Sequence, residues 1–117
     1  MYRKEFFVFD QDKPVPVVIR NYESKDFPDL IRVQKECFPP PFPSDLLWNE
    51  EQLKNHVTLF KQGALCIEVN GEIAGSMTGL LIEFDPLHPE HTWEEVTDNG
   101  YIRNHNPNGN SLYVVDI

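Results

Sequence analysis

Asp116 is the one carboxylate in the apolar run Leu112-Tyr113-Val114-Val115-Asp116-Ile117. A carboxylate in such a run can accept a proton, directly or through water, or hold a cationic substrate. The plainer alternative is that it pairs with an adjacent element. Strict alternation along a strand puts Tyr113 on the face of Val115 and Ile117, as a core aromatic or a substrate contact. Asp116 and Tyr113 are therefore the candidate catalytic residues. His88-Pro89-Glu90-His91 offers two imidazoles and a carboxylate within four residues. That spacing on a loop is a weak metal signal and no further ligand is evident nearby, so solvated histidines are the default and no metal is expected. Cys66 and His56 would make a thiolate nucleophile pair, but Cys66 lies inside an alternating strand, where a thiol is ordinarily inert.

The elements that must position these residues are readable in outline. With 117 residues and 40% hydrophobic content, the chain can build one modest core and not two. Residues 1–20 form an N-terminal hairpin: Phe6 to Phe9 and Val15 to Arg20 flank a polar turn, with Pro14 and Pro16 keeping part of it at a sheet edge. Residues 24–62 carry two helices. The first is capped by Ser24 or Asp26, tolerates Pro28 in its first turn, and is ended by Pro39-Pro40-Pro41. The second is capped by Ser44 or Asp45, with the stripe Leu46, Leu53, Val57, Phe60 and an end at Gln62-Gly63. Residues 63–84 are a second hairpin turning at Asn70-Gly71, where both positions call for positive φ. Gly75 or Gly79 marks a bulge or a close backbone approach. Residues 85–110 are a polar insertion with one helical turn near Trp93 to Val96, and residues 111–117 are the terminal strand. That strand has the composition of a buried strand and no punctuation after it, so the chain reads as the front part of a larger domain.

Net charge is −9 and the pI about 4.7. This argues against a nucleic acid or an anionic membrane surface as partner, since both require clustered Lys and Arg. It suits an amine substrate and is also the ordinary balance of a cytosolic protein. Cys37 and Cys66 make no disulfide framework; both are expected to be buried, reduced thiols. The first residues lack the apolar run of a signal peptide, which makes the cytoplasm the expected location.

In element order and short patterns the chain resembles the first half of a GNAT-superfamily N-acetyltransferase. The residues that carry this are Val18-Ile19-Arg20 before a capped helix, the Phe38-Pro39 boundary, the run Cys66 to Gly75 across the Asn-Gly turn, and Leu112 to Ile117 as the family's fourth strand. Trp93 to Asn106, with Asn110 to Ile117, resembles a narrower branch in which such a domain precedes a carbon–nitrogen hydrolase.

The resemblance implies an α+β fold with a mixed, mostly antiparallel sheet and two helices. It implies acetyl-CoA as co-substrate, transfer to a small-molecule or peptide amine, and main-chain groups of Val115 and Ile117 against the pantetheine arm and thioester carbonyl. It also implies an acceptor site lined by Phe42, Trp48, Trp93 and Tyr101. The family's Gly-rich turn for the CoA pyrophosphate is not found within the sequence, so the 117-residue chain is expected to be inactive alone. A rival reading is a non-catalytic interaction module that pairs through its terminal strand, with a homodimer or the missing half as partner.

Overall fold

The computed structural model describes residues 2–117. Its strands are β1 (Arg3–Asp10), β2 (Lys13–Asn21), β3 (Ala64–Val69), β4 (Glu72–Ile82) and β5 (Ser111–Asp116). Each pairs antiparallel with the next in chain order, giving one five-stranded sheet. Helices α1 (Phe27–Cys37) and α2 (Glu50–Leu59) lie between β2 and β3, and a short α3 (Trp93–Thr97) lies between β4 and β5. This is the expected α+β class, with a wholly antiparallel sheet among the described residues.

Local chemistry accounts for most of these elements. Asn70 (φ 54°) and Gly71 (φ 80°) turn the β3–β4 hairpin, as that dipeptide favours. The Pro14 and Pro16 half of β2 faces β1 alone, because β2 pairs with β3 only from Val17 onward. A proline there forfeits no bond on the open side. Helix α1 follows a 3-10 turn at Ser24–Asp26, whose capping box is made by Glu23 and Asp26. It ends at Cys37, just before the proline run.

Helix α2 corrects the expected cap: Asn49, not Ser44 or Asp45, starts it. The Asn49 side chain accepts from the Gln52 amide (2.8 Å) while Gln52 answers back to the Asn49 amide (2.9 Å). Ser44–Leu46 is a separate 3-10 turn, and Leu46 is exposed. Cys37 is also exposed, contrary to the buried thiol expected, because α1 turns it away from the core at its last residue.

The core lies between the helices and one face of the sheet, built on Tyr22, Phe27, Leu30, Leu53, Cys66 and Leu80, with Ile102 joining from the insertion. Arg20 ties the start of α1 to this sheet. Its guanidinium donates to both Asp26 carboxylate oxygens (2.8 and 2.9 Å) and to Glu68 (2.5 Å). Burial pushes the Asp26 carboxyl up, but the Arg20 bonds, the Glu23 amide and the nearby positive charges together outweigh it and hold it below the usual carboxylate range. Among the described residues no helix is long and apolar enough to cross a membrane.

Among the described residues strand β5 lies at the edge of the sheet, with Leu112 and Val114 exposed. It departs from expectation in its alternation, which is broken. Thr78 pairs with Asp116 and Gly79 with Val114, which leaves Val115 without a partner on β4: a bulge. The other bulge leaves Ala74 unpaired, since Ile67 pairs with Gly75 and Glu68 with Ile73.

Candidate functional site

The bulge at Val115 sets the geometry of the terminal strand. Directly opposed residues in an antiparallel pair share a face. Leu80 opposes Tyr113 and Thr78 opposes Asp116, so Tyr113 shares its face with Asp116 and not with Ile117 as simple alternation predicts. Both point toward the helices and the insertion. The Trp48 indole, delivered by the turn before α2, donates from Nε1 to Asp116 Oδ2 at 2.7 Å. Trp93, at the start of α3, donates from Nε1 to the Val115 carbonyl at 3.2 Å. The two indoles stack with centroids 6.1 Å apart, and the His91 ring meets Tyr113 edge-on at 5.7 Å.

Asp116 Oδ1 is buried and has no hydrogen-bond partner. Burial raises the Asp116 carboxyl above its ordinary range, and the Trp48 bond, with the nearby Thr78 amide and hydroxyl, only partly offsets this. Asp116 and Ile117 also help line an apolar cavity of about 560 Å³. Helix α1 lines one side of it with Leu30, Val33 and Gln34, and the sheet lines another with Ile67, Gly75 and Met77. The cavity runs past the outer edge of β4, where residues 72–77 have no strand partner on that side among the described residues.

Behind Asp116 stands a buried polar chain. His56 Nε2 lies 2.7 Å from the Gly100 carbonyl, which can only accept, so that nitrogen carries the proton. Nδ1 is then the acceptor for the Tyr22 hydroxyl at 3.1 Å, and Tyr22 in turn accepts from Thr78 Oγ1 at 2.8 Å. Thr78 thereby spends its single hydroxyl proton on Tyr22, which fits the orphaned oxygen on Asp116 across the ladder. Burial drives the His56 pKa down to about 4, against the opposing bond to Gly100. The Trp48 ring stands edge-on to His56 with centroids 5.0 Å apart, completing the packing between the chain and the carboxylate.

The structure thus brings together Asp116, Tyr113, Val115, Trp48 and Trp93. Phe42 and Tyr101 stand apart from them: Phe42 packs on Phe38 at 5.0 Å, and the Arg103 guanidinium lies over the Tyr101 ring at 4.8 Å. Tyr22, Thr78 and Gly100 were not singled out by the sequence, and His56 was weighed only as a partner for Cys66. The signal for His56 was present, because it follows Leu53 by three on the buried stripe of α2. Cys66 is no nucleophile: burial raises its thiol to about 11, and His56 bonds elsewhere. His88 is exposed and bound to Asp85. Among the described residues no group of three or more His, Cys, Asp or Glu is placed to hold a metal ion.

No family model matches the sequence. Over 114 residues, 97% of its length, the chain is 54% identical to the uncharacterized N-acetyltransferase YkwB of Bacillus subtilis (strain 168), of which it spans 50%. Over 101 residues, 86% of its length, it is 46% identical to the probable hydrolase YhcX of the same organism, of which it spans 19%. The chain therefore spans half or less of the length of the curated relatives it matches. The match to part of a much longer protein with a hydrolase name accords with the narrower branch suggested by Trp93 to Asn106. Among solved structures, the loading GNATL domain of CurA from Lyngbya majuscula superposes with a TM-score of 0.63, covering 84% of this chain and 45% of that one. At 19% identity this likeness speaks for the fold. By sequence the chain is similar along nearly its whole length to part of a protein named an N-acetyltransferase, and by the architecture of its sheet it shares the fold of a GNAT-like domain.

Proposed function

We propose that the chain forms one half of an N-acetyltransferase that moves an acetyl group from acetyl-CoA to a small-molecule or peptide amine in the cytoplasm. The observation that carries this reading is the β5 bulge. It frees the backbone at Val115 from the ladder beside a buried carboxylate with an unused oxygen, in the lining of an apolar cavity. In this reading the Val115 and Ile117 main chain holds the pantetheine arm and the thioester carbonyl. The amine nitrogen attacks the carbonyl carbon, the C–S bond breaks, and the amine gives up a proton to Asp116. The departing thiolate takes a proton from the Tyr113 phenol, and Asp116 then passes the amine proton through water to the phenolate, restoring both groups. Trp48 fixes the carboxylate that receives the proton. Trp48 and Trp93 form the acceptor-side wall, and Phe42 and Tyr101 reach the acceptor only if it extends beyond that wall.

The described residues include no Gly-rich turn opening a helix with cationic support for a pyrophosphate. The 117-residue chain is accordingly expected to show no saturable acetyl-CoA binding by calorimetry. The same chain, continued by the remaining half of the YkwB sequence, is expected to bind acetyl-CoA and to release free thiol when offered amines. Saturable micromolar binding by the 117-residue chain alone would contradict the first expectation. A folded, continued chain that neither binds nor transfers would contradict the function.

The rival reading, pairing through the terminal strand, draws on the exposed Leu112, Val114 and Ile117. It is weakened by the bulge and by the Trp93 indole already seated on the Val115 carbonyl.

A further inference from the structure

The opposite edge of the sheet is built differently. Strand β1 pairs with β2 without interruption over eight residues, and among the described residues its outer side has no strand partner. Natural edge strands are blunted by prolines, bulges or central charges. From Phe6 to Phe9 this one has none of the three. Its apolar side chains are exposed on both faces of the hairpin: Phe7 is 64% exposed, Phe9 74% and Val8 44%. The prolines of this hairpin, Pro14 and Pro16, lie on β2 opposite Phe9 and Phe7, so they do not protect the edge.

The backbone is oriented for a partner. The Tyr2 carbonyl accepts from the Asn21 amide, so Tyr2 bonds inward to β2. By the alternation of an antiparallel ladder, Lys4, Phe6, Val8 and Asp10 do the same, and Arg3, Glu5, Phe7 and Phe9 turn their N–H and C=O groups outward.

We propose that β1 is a self-association surface. Its occupant is β1 of a second copy of this chain, antiparallel about a two-fold axis normal to the sheet, joining two five-stranded sheets into one of ten. Such an axis preserves the faces of the sheet, so a residue can oppose only residues an even number of positions away. Two registers keep the apolar run paired, and charge decides between them. Centred on Phe6, the strand sets Lys4 against Val8 and Arg3 against Phe9, with no pair of opposite charges. Centred on Phe7, it sets Phe6 against Val8 and Phe7 against its own copy, and it sets Lys4 against Asp10 twice, once at each end. In the second register the outward groups of Glu5, Phe7 and Phe9 face their counterparts, and the Lys4–Asp10 pairs occupy the closer, non-hydrogen-bonded positions. The structure assigns the register centred on Phe7.

Sedimentation equilibrium of the 117-residue chain tests this, with circular dichroism to check folding. The expected result is a dimer at concentrations up to about 100 µM. Phe7→Lys should give a folded monomer, since the exposed ring contributes little to the core of one copy. Lys4→Asp or Asp10→Lys alone should weaken the dimer by roughly tenfold, as two like-charge pairs replace two unlike ones. The double variant should regain most of the loss, because it restores opposite charges in reversed order. A monomer at the top of the range would overturn the proposal. So would a dimer that survives Phe7→Lys, or a double variant no tighter than the singles.

Discussion

Acidification from pH 7 to pH 4 is expected to remove about 3 kcal/mol of stability through His56 alone. In the unfolded chain an imidazole titrates near 6.5, whereas burial holds the folded His56 down to about 4. Above about pH 6.5 both states are neutral and the group contributes no pH dependence. As pH falls below 6.5 the unfolded chain takes a proton that the folded protein refuses, so stability drops until the folded group titrates. The refusal has a structural cause. Nε2–H is committed to the Gly100 carbonyl and Nδ1 to the Tyr22 hydroxyl, so a second proton would face a donor rather than an acceptor.

Other groups bear on the same window. His105, stacked on Phe60 and accepting from the Leu81 amide, is lowered by burial and adds to the loss. Asp116 is raised, so its burial costs stability when it is ionised and that cost is relieved at low pH, in the opposite direction. His56→Gln separates the terms, since an amide can keep both bonds without titrating. Urea unfolding at pH 7 and pH 4.5 should show the drop of the parent protein reduced by most of its His56 share in the variant. Equal drops in the two proteins would show that the buried imidazole titrates freely.

Gly100→Ala should cost about 2–4 kcal/mol, combining strained backbone with crowding. Gly100 sits at φ +84°, the last of three successive left-handed residues after Asp98 and Asn99. A Cβ there would run into the Trp48 ring and come within 2.9 Å of the Gln52 amide nitrogen. Neither neighbour can withdraw easily. Trp48 is held by Asp116, and the Gln52 side chain donates to the Asn99 carbonyl at 2.9 Å. Gly71→Ala is the internal control: it too has positive φ, at +80°, but nothing lies within 4 Å of the added carbon. It should show only the conformational part, about 1 kcal/mol. The difference between the two melting shifts measures how firmly the loop, Trp48 and Asp116 are locked together. Equal shifts would mean the ring moves aside and the carboxylate is not fixed by it.

What the sequence made legible is what neighbours in the chain decide. Asn70-Gly71 turns the hairpin because of its own φ preferences, and the prolines after Phe38 stop α1 by sterics. The Asn49–Gln52 box was also written locally, as Asn-Glu-Glu-Gln, but the proline-rich stretch drew the expected start of α2 toward Ser44 and Asp45. Other features depend on pairing across the chain. Alternation along Leu112–Ile117 cannot reveal that Val115 is extra, because a bulge is a property of two strands and not one. The polar chain behind Asp116 joins Tyr22, His56, Thr78 and Gly100 across separations of 34, 56 and 44 residues. No local pattern encodes those contacts. Cys37 shows the reverse failure, since an apolar neighbourhood in sequence does not bury a residue at the end of a helix.

In the proposed function the acyl donor docks at the β5 bulge. Amide proton–nitrogen spectra of the chain continued by the second half of YkwB, titrated with acetyl-CoA, test it most directly. The amides of Val115, Asp116 and Ile117 are expected to move with the occupancy of the donor site, while those of the β1–β2 hairpin stay in place. Donor binding that leaves those three amides unmoved would contradict it.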